Sequence, residues 1–340
     1  MNTEEKLALI TRNTQEIVTE DELRKLLDEK KQPSVFLGTA ITGKPHVGYF
    51  LWVIKMADFL RAGFRVVVLL ADMHGALDNC PWDVLEKRYE YYKLVIPAMF
   101  SAIGVQTKNL EIVKGSDFQL TKEYMFDVLK MSSSASLHDA KKAGSEVIKQ
   151  SDNPKISGLL YPIFQAIDEE YLKVDIQYGG IDQRKILMFA REYLPKIGYK
   201  SRIEFMTPLI PGLIGEKMSA STEESKIDII EDSEVLKKKM NKAYCPEGVV
   251  EENGVLAFAK YVIMVLRQDA GEKLKIERPE KFGGNVEYGR YEDLERDFVE
   301  KKLHPMDLKN AMVGEIDRLI DPIRAKAKGK EKLIKDAFAQ

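Results

Sequence analysis

Three stretches of this chain carry residue types and spacings suited to chemistry on a charged ligand. The segment GTAITGKPHVGY at residues 38–49 joins an apolar run to an amphipathic one. A helix starting there points unpaired N–H groups and the positive end of its dipole outward, and the glycines let a ligand approach the backbone, so the turn is a candidate anion site. His46 can donate to a phosphate oxygen, and Gly48 leaves room for an adenine ring against the helix. GxGxxG is absent and no GK[ST] follows at P-loop spacing, so neither common nucleotide fingerprint applies. Taken alone, a turn of this kind is more often just a capped helix. The second stretch, EKMSAS at 216–221, sets Lys217 among the hydroxyls of Ser219 and Ser221. Such a lysine can close over a triphosphate and stabilise charge on departing pyrophosphate, although a solvated loop has the same composition. The third stretch places Tyr161, Gln165 and Asp168 at i, i+4 and i+7, on one face of a helix. Their neighbours Leu160, Ile163, Phe164 and Ile167 are apolar, so this polar stripe needs partners inside a pocket. Gln183, opening the next helix, can add an amide to the same cavity.

Positioning these groups requires a particular order of elements. The run at 35–37 reads as a strand ending at Gly38, the break at 43–45 as a turn, and 46–61 as a helix buried around most of its circumference. The β-branched run at 65–71 reads as a central buried strand that completes a right-handed crossover. A helix at 82–103, a strand at 110–113, helices at 121–132, 138–149 and 155–172, and a strand at 174–178 extend the pattern. Pro, Gly, Ser and Thr concentrate at 208–224, which marks a long loop of the functional kind. Beyond it helices are expected at 233–244, 255–266, 291–301 and 306–327, with a small hairpin near 274–287 and a basic, fraying stretch at 326–335. The expected fold is therefore α/β: a Rossmann-like parallel-sheet domain over residues 1–230, followed by a mostly helical domain over 231–340.

Composition bounds the reading. A chain of 340 residues with 44% hydrophobic and 31% charged side chains can fill two domains. Its 52 basic and 54 acidic residues leave a net charge of -2, so no global positive field marks a nucleic-acid coat protein. The longest apolar runs fall far short of the roughly 20 residues that cross a bilayer, and no membrane partner is expected. The N-terminus is acidic where a secretory signal is basic, which leads us to expect a cytoplasmic protein. Cys80 and Cys245 form no CxxC pair and read as buried thiols; no metal-ligand set is expected.

Together the three stretches resemble the class I aminoacyl-tRNA synthetases, and specifically tyrosyl-tRNA synthetases of the archaeal and eukaryotic cytoplasmic type. His46-Val47-Gly48-Tyr49 resembles the first class signature with tyrosine for its last histidine, and Lys217-Met218-Ser219-Ala220-Ser221 the second with alanine for its second lysine. The segments at 160–168 and 179–185 are similar to the family's tyrosine-binding segments, and those at 278–284 and 304–310 to its anticodon-binding domain. The resemblance runs from about Leu7 to Arg324, with no appended C-terminal module expected. It implies ATP as substrate, with accompanying Mg²⁺, bound by Gly43, Lys44, His46, Gly48 and Lys217, and catalysis by His46, Lys217, Ser219 and Ser221. L-tyrosine would lie against Phe36 and Gly38, its ammonium group held by Tyr161, Gln165 and Gln183 and its phenol donating to Asp168. Phe282, His304 and Asp307 would bind the anticodon of tRNA(Tyr), and the protein would be a homodimer; the apolar Met125, Phe126, Val128, Leu129 and Met131 are compatible with its interface, though a monomer core explains them equally well. At position 36 the family usually has a tyrosine whose hydroxyl also bonds the phenol, which phenylalanine cannot do; Gly75 and Ala76 likewise replace bulkier residues beside the pocket strand. The competing readings are a tryptophanyl-tRNA synthetase-like enzyme of the same fold, a small-molecule adenylyltransferase, and a catalytically silent paralogue that binds RNA or a protein. For Asp307 a helix cap is the alternative role.

Overall fold

The computed structural model describes residues 1–147, 155–212 and 226–338. Six strands, β1 (Glu16–Val18), β2 (Ser34–Ala40), β3 (Arg65–Ala71), β4 (Leu110–Lys114), β5 (Ile176–Gly180) and β6 (Ile203–Thr207), form one sheet in the order β1-β6-β5-β2-β3-β4. Only β1 runs antiparallel to its neighbour; the pairings β2–β3, β2–β5, β3–β4 and β5–β6 are parallel. The chain leaves β2 toward β3 and β4, then returns to the other side of β2 as β5. This reversal opens a crevice beyond the carboxyl ends of β2 and β5, where open α/β sheets receive their ligands. Residues 66–71 of β3 are all buried, as expected for a central parallel strand covered on both faces. One apolar cluster runs from the sheet into the helices after residue 230, joining Val68 and Phe205 to Leu236, Val262, Ile316 and Ile320.

Several expected elements are corrected. The helix expected from 46 begins as a tight turn at Val47–Tyr49 and becomes α-helical at Phe50–Arg61. The strand expected from 174 starts at Ile176, because Lys173 takes a left-handed conformation (φ 53) that turns the chain out of the preceding helix, Ser157–Tyr171. The helix expected at 255–266 spans Gly254–Phe258, a π turn at Ala259–Ile263 and Met264–Asp269. The hairpin forms as β7 (Leu274–Ile276) and β8 (Val286–Tyr288). Among the elements without an expectation are the Thr3–Thr11, Asp72–Leu77 and Ser116–Gln119 helices, β1, and β6, whose buried Glu204 interrupts the apolar pattern. The stretch at 326–335 does not fray. The Pro305–Ala327 helix runs through its first residues, and a further helix, Glu331–Phe338, packs on the Leu85–Ala102 helix. There the Phe338 ring meets Tyr91 edge-on at 5.3 Å and Arg88 Nε donates to the Ala337 carbonyl at 2.9 Å. Both cysteines are buried free thiols. No helix among the described residues is long and apolar enough to cross a membrane.

Candidate active site

A cavity of about 680 Å³ opens beyond the carboxyl ends of β2, β3 and β5. It brings together Phe36, Gly38, His46, Gly48, Tyr161, Gln165, Asp168 and Gln183, residues drawn from four separate elements. Phe36 and Gly38 lie on one face of β2, two residues apart. Gly38 is exposed to the cavity, so a side chain there would project into it. On the opposite wall Gln165 Nε2 donates to Gln183 Oε1 at 3.2 Å. Gln183 lies across Gly179 so closely that a Cβ on that glycine would come within 2.9 Å of it, which only glycine tolerates. Tyr161, buried against the His74 ring at 4.7 Å, completes a wall of hydroxyl and amide groups able to accept from an ammonium ion.

Asp168 forms the floor and is 1% exposed. Its Oδ1 accepts from Gln119 Nε2 at 2.7 Å and from the Tyr124 hydroxyl at 2.8 Å, while Oδ2 stands 3.6 Å from His74 Nε2. Burial pushes the Asp168 carboxyl up to about 8, against the opposing effect of the hydrogen bonds from Gln119 and Tyr124. The His74 imidazole, fully buried, is pushed down to about 3 and is neutral. His74, Gln119 and Tyr124 escape sequence reasoning. They lie 94, 49 and 44 residues before Asp168, on three elements, and no spacing rule relates them. Gly75 and Ala76 do not line this cavity. A Cβ on Gly75 would instead meet Ile41 at 3.3 Å and Leu85 at 3.6 Å, in the packing behind it.

At the cavity mouth His46 is 7% exposed and precedes the tight turn at Val47–Tyr49. The turn is held from behind. Val47 N donates to the Ile227 carbonyl at 2.9 Å, a backbone bridge pairs His46 with Asp228, and Lys44 Nζ lies 3.9 Å from Asp228 Oδ2. Tyr92 donates its hydroxyl to the Gly43 carbonyl at 2.6 Å, fixing the preceding loop. His46 and Gly48 thus stand at the mouth of a cavity whose floor carries the buried Asp168, whereas Gly43 and Lys44 are not among the residues that line it. Lys217, Ser219 and Ser221 lie outside the described residues.

The family model described as "tRNA synthetases class I (W and Y)" matches residues 28–320. The tyrosine–tRNA ligase of Haloarcula marismortui is 43% identical over 342 residues, covering 100% of this chain and 99% of that one. The chain belongs to the tyrosyl-tRNA synthetase family. The cytoplasmic tyrosine–tRNA ligase of Gallus gallus is 52% identical over 95% of this chain, but the match spans 61% of that longer protein. A crystal structure of tyrosyl-tRNA synthetase complexed with L-tyrosine from Archaeoglobus fulgidus superposes with a TM-score of 0.88 at 41% identity, covering 96% of this chain and 99% of that one.

In this tyrosyl-tRNA synthetase family member the residues singled out in the C-terminal region gather around one bend. Arg278 donates from Nε to the Gly284 carbonyl at 2.5 Å and from Nη1 to the Lys302 carbonyl at 2.8 Å, tying the turn that carries exposed Phe282 to the chain entering the Pro305–Ala327 helix. His304 is that helix's cap, its Nδ1 accepting from Met306 N at 3.1 Å. The capping role considered for Asp307 therefore falls to His304, and Asp307 stands in the first turn. The apolar set at 125–131 divides. Val128 and Met131 are buried inside the subunit, whereas Met125, Phe126 and Leu129 are exposed, because the Lys122–Ser134 helix turns only one face to the core.

Proposed function

We propose that the protein is a tyrosine–tRNA ligase. It activates L-tyrosine with ATP to tyrosyl-adenylate and pyrophosphate, then transfers the tyrosyl group to the 3′ end of tRNA(Tyr). The observation that carries this reading is the Asp168 carboxylate, buried on the cavity floor with Oδ2 left unused by Gln119 and Tyr124, on the same helix face as Tyr161 and Gln165, which with Gln183 form the amide and hydroxyl wall. A ligand with an ammonium group at one end and a phenol O–H at the other satisfies both. The two ends suit tyrosine.

In the first step a tyrosine carboxylate oxygen attacks the α-phosphorus of ATP, and the bond from that phosphorus to the bridging oxygen of the β-phosphate breaks. In-line displacement of this kind needs positioning and charge stabilisation more than covalent help. His46 would donate to a phosphate oxygen, with Gly43, Lys44 and Gly48 framing the nucleotide, and Lys217, Ser219 and Ser221 would close on the departing pyrophosphate. Mg²⁺ would be carried on the phosphate oxygens, the usual arrangement for this ion. Among the described residues no three His, Cys, Asp or Glu side chains converge to hold a metal. A ribose hydroxyl of the tRNA terminal adenosine then attacks the activated carbonyl and AMP leaves. Purified protein should show tyrosine-dependent ATP–pyrophosphate exchange. Failure of tyrosine to stimulate exchange would remove the reading.

Residues 1–230 would do this chemistry and residues 231–340 would hold the anticodon, in the cytoplasm. Asp307, acceptor-only when ionised, would take hydrogen bonds from the Watson–Crick N–H donors of an unstacked guanine, with Phe282 and His304 as stacking platforms worth roughly 1–3 kcal/mol per base. Asp307→Ala is expected to lower the aminoacylation kcat/KM ratio between tRNA bearing guanine at the first anticodon position and tRNA bearing another base. The same ratio in variant and parent would place the reader elsewhere. Exposed Met125, Phe126 and Leu129 form an apolar strip suited to a symmetric homodimer. Sedimentation should show a dimer at micromolar concentration, and an active monomer there would reject it.

A further inference from the structure

The proposed substrate ends in a phenol, which has one O–H to donate and lone pairs that accept. Asp168 Oδ2 takes the donated proton, but a phenol oxygen drawn into a dry pocket with nothing donating to it loses hydrogen bonds that it had in water. With Asp168 ionised, as accepting the phenol proton on Oδ2 requires, the candidates to donate are few. Phe36 beside the floor has no polar atom. The Tyr124 hydroxyl is already directed at Asp168 Oδ1 and the Phe164 carbonyl, 2.8 Å from each. The Gln119 amide nitrogen serves Asp168 Oδ1 at 2.7 Å and faces His74 Nδ1 at 3.4 Å.

His74 Nε2 is different. The residue is 3% exposed, lines the cavity, and this nitrogen is buried with no hydrogen-bond partner. Its neutral ring carries a single proton. Nδ1 faces the Gln119 amide N–H and so acts as acceptor, which leaves the proton on Nε2. That N–H stands 3.6 Å from Asp168 Oδ2, too far for a good direct hydrogen bond, yet close enough for one ligand oxygen to meet both. Tyr161, packed edge-on against the imidazole at 4.7 Å, and Phe164 at 6.1 Å hold the ring in this orientation.

We propose that His74 is a specificity-determining residue for tyrosine, donating from Nε2–H to the substrate phenol oxygen while Asp168 Oδ2 accepts the phenol proton. The inference rests on the proposed tyrosine activation. Phenylalanine would leave both His74 and Asp168 unsatisfied and is rejected twice. 4-Aminophenylalanine can donate to Asp168, but its nitrogen lone pair is delocalised into the ring and accepts poorly from His74, so only half of the recognition survives.

Pyrophosphate exchange in the full chain tests this. Parent protein should prefer tyrosine over 4-aminophenylalanine by about 10-fold or more in kcat/KM, the scale of one buried hydrogen bond left unmade. In His74→Leu the preference should narrow to within about 2-fold and the tyrosine-to-phenylalanine ratio should fall by about 10-fold. His74→Gln, whose amide nitrogen can reach the place of Nε2, should recover much of the latter ratio. Phe36→Tyr in the His74→Leu background should recover it too, by presenting a hydroxyl from the adjacent wall. An unchanged tyrosine-to-phenylalanine ratio in His74→Leu overturns the proposal, as does equal use of tyrosine and 4-aminophenylalanine by the parent, a comparison that needs no variant. If the parent activates no tyrosine at all, the functional reading itself has failed.

Discussion

Asp168→Asn is expected to lower kcat/KM for tyrosine by roughly 10- to 100-fold, the range for losing a hydrogen bond to an ionised acceptor, and at the same time to make the ligand-free protein more stable in mild alkali. The two effects have one cause. Asp168 is fully buried and its carboxyl is pushed up to about 8, from an ordinary value of 3.8. The folded state therefore binds this proton more tightly than the unfolded state. A raised folded value contributes stability that is fully present below the unfolded value and is lost as pH rises toward 8, at up to about 1.4 kcal/mol per pH unit for one proton. Asparagine keeps an oxygen to accept from Gln119 and Tyr124 but carries no charge, so it removes this loss. Thermal melting of parent and variant from pH 5 to pH 8 should show the variant gaining relative stability as pH rises. A constant difference across that window would mean that the carboxylate ionises without cost. Glu169 and Glu204, buried nearby and held well above the usual carboxylate range by burial, give the parent the same direction of pH dependence; the Asp168 charge also raises Glu169, so its removal eases that carboxyl too and acts in the same direction. The site thus trades stability for recognition: the ionised carboxylate best suited to accept a phenol proton is also the costliest form of Asp168 to bury in the empty cavity.

His46→Ala should slow adenylate formation by about 10²- to 10³-fold, the range for removing one donor aimed at developing charge, with a much smaller change in tyrosine affinity. The supports of the turn are backbone groups that alanine retains: the bridge to Asp228 and the Val47 N–H to the Ile227 carbonyl. What alanine removes is the imidazole and its edge-on contact with Tyr49 at 4.9 Å. Single-turnover kinetics with saturating ATP separate the two steps. Weaker tyrosine binding with normal chemistry would return His46 to the role of a helix-opening residue. Lys217→Ala should act in the same direction, since an ammonium contacting the departing pyrophosphate is felt in the transition state more than in the ground state.

What the sequence determined by itself was whatever repeats locally. The continuous apolar run of β3, opened by three valines, reads as a strand covered on both faces, and spacings of four and three residues put Tyr161, Gln165 and Asp168 on one side of a helix wherever that helix went. The glycines and His46 between strand and helix marked the anion end of the cavity on the same grounds. Tertiary structure decided the rest. Glu204 hid β6 because a charged residue interrupts the apolar pattern, and its burial becomes visible only when the strand is seated beside β5. The residues at 326–335 read as a fraying basic tail, whereas Tyr91 and Arg88 supply a surface for Phe338 and Ala337 that holds the last helix. Residues 125–131 read as one apolar strip, but packing buries Val128 and Met131 and leaves Phe126 and Leu129 outside. The pocket floor was the least legible part, since His74, Gln119 and Tyr124 meet Asp168 only because the sheet order brings the end of β3, the segment after β4 and the helix before β5 to one point. Periodicity reports which side of its own element a residue faces. Which distant residue it then meets is set by strand order and packing, and these depend on contacts that no local spacing encodes.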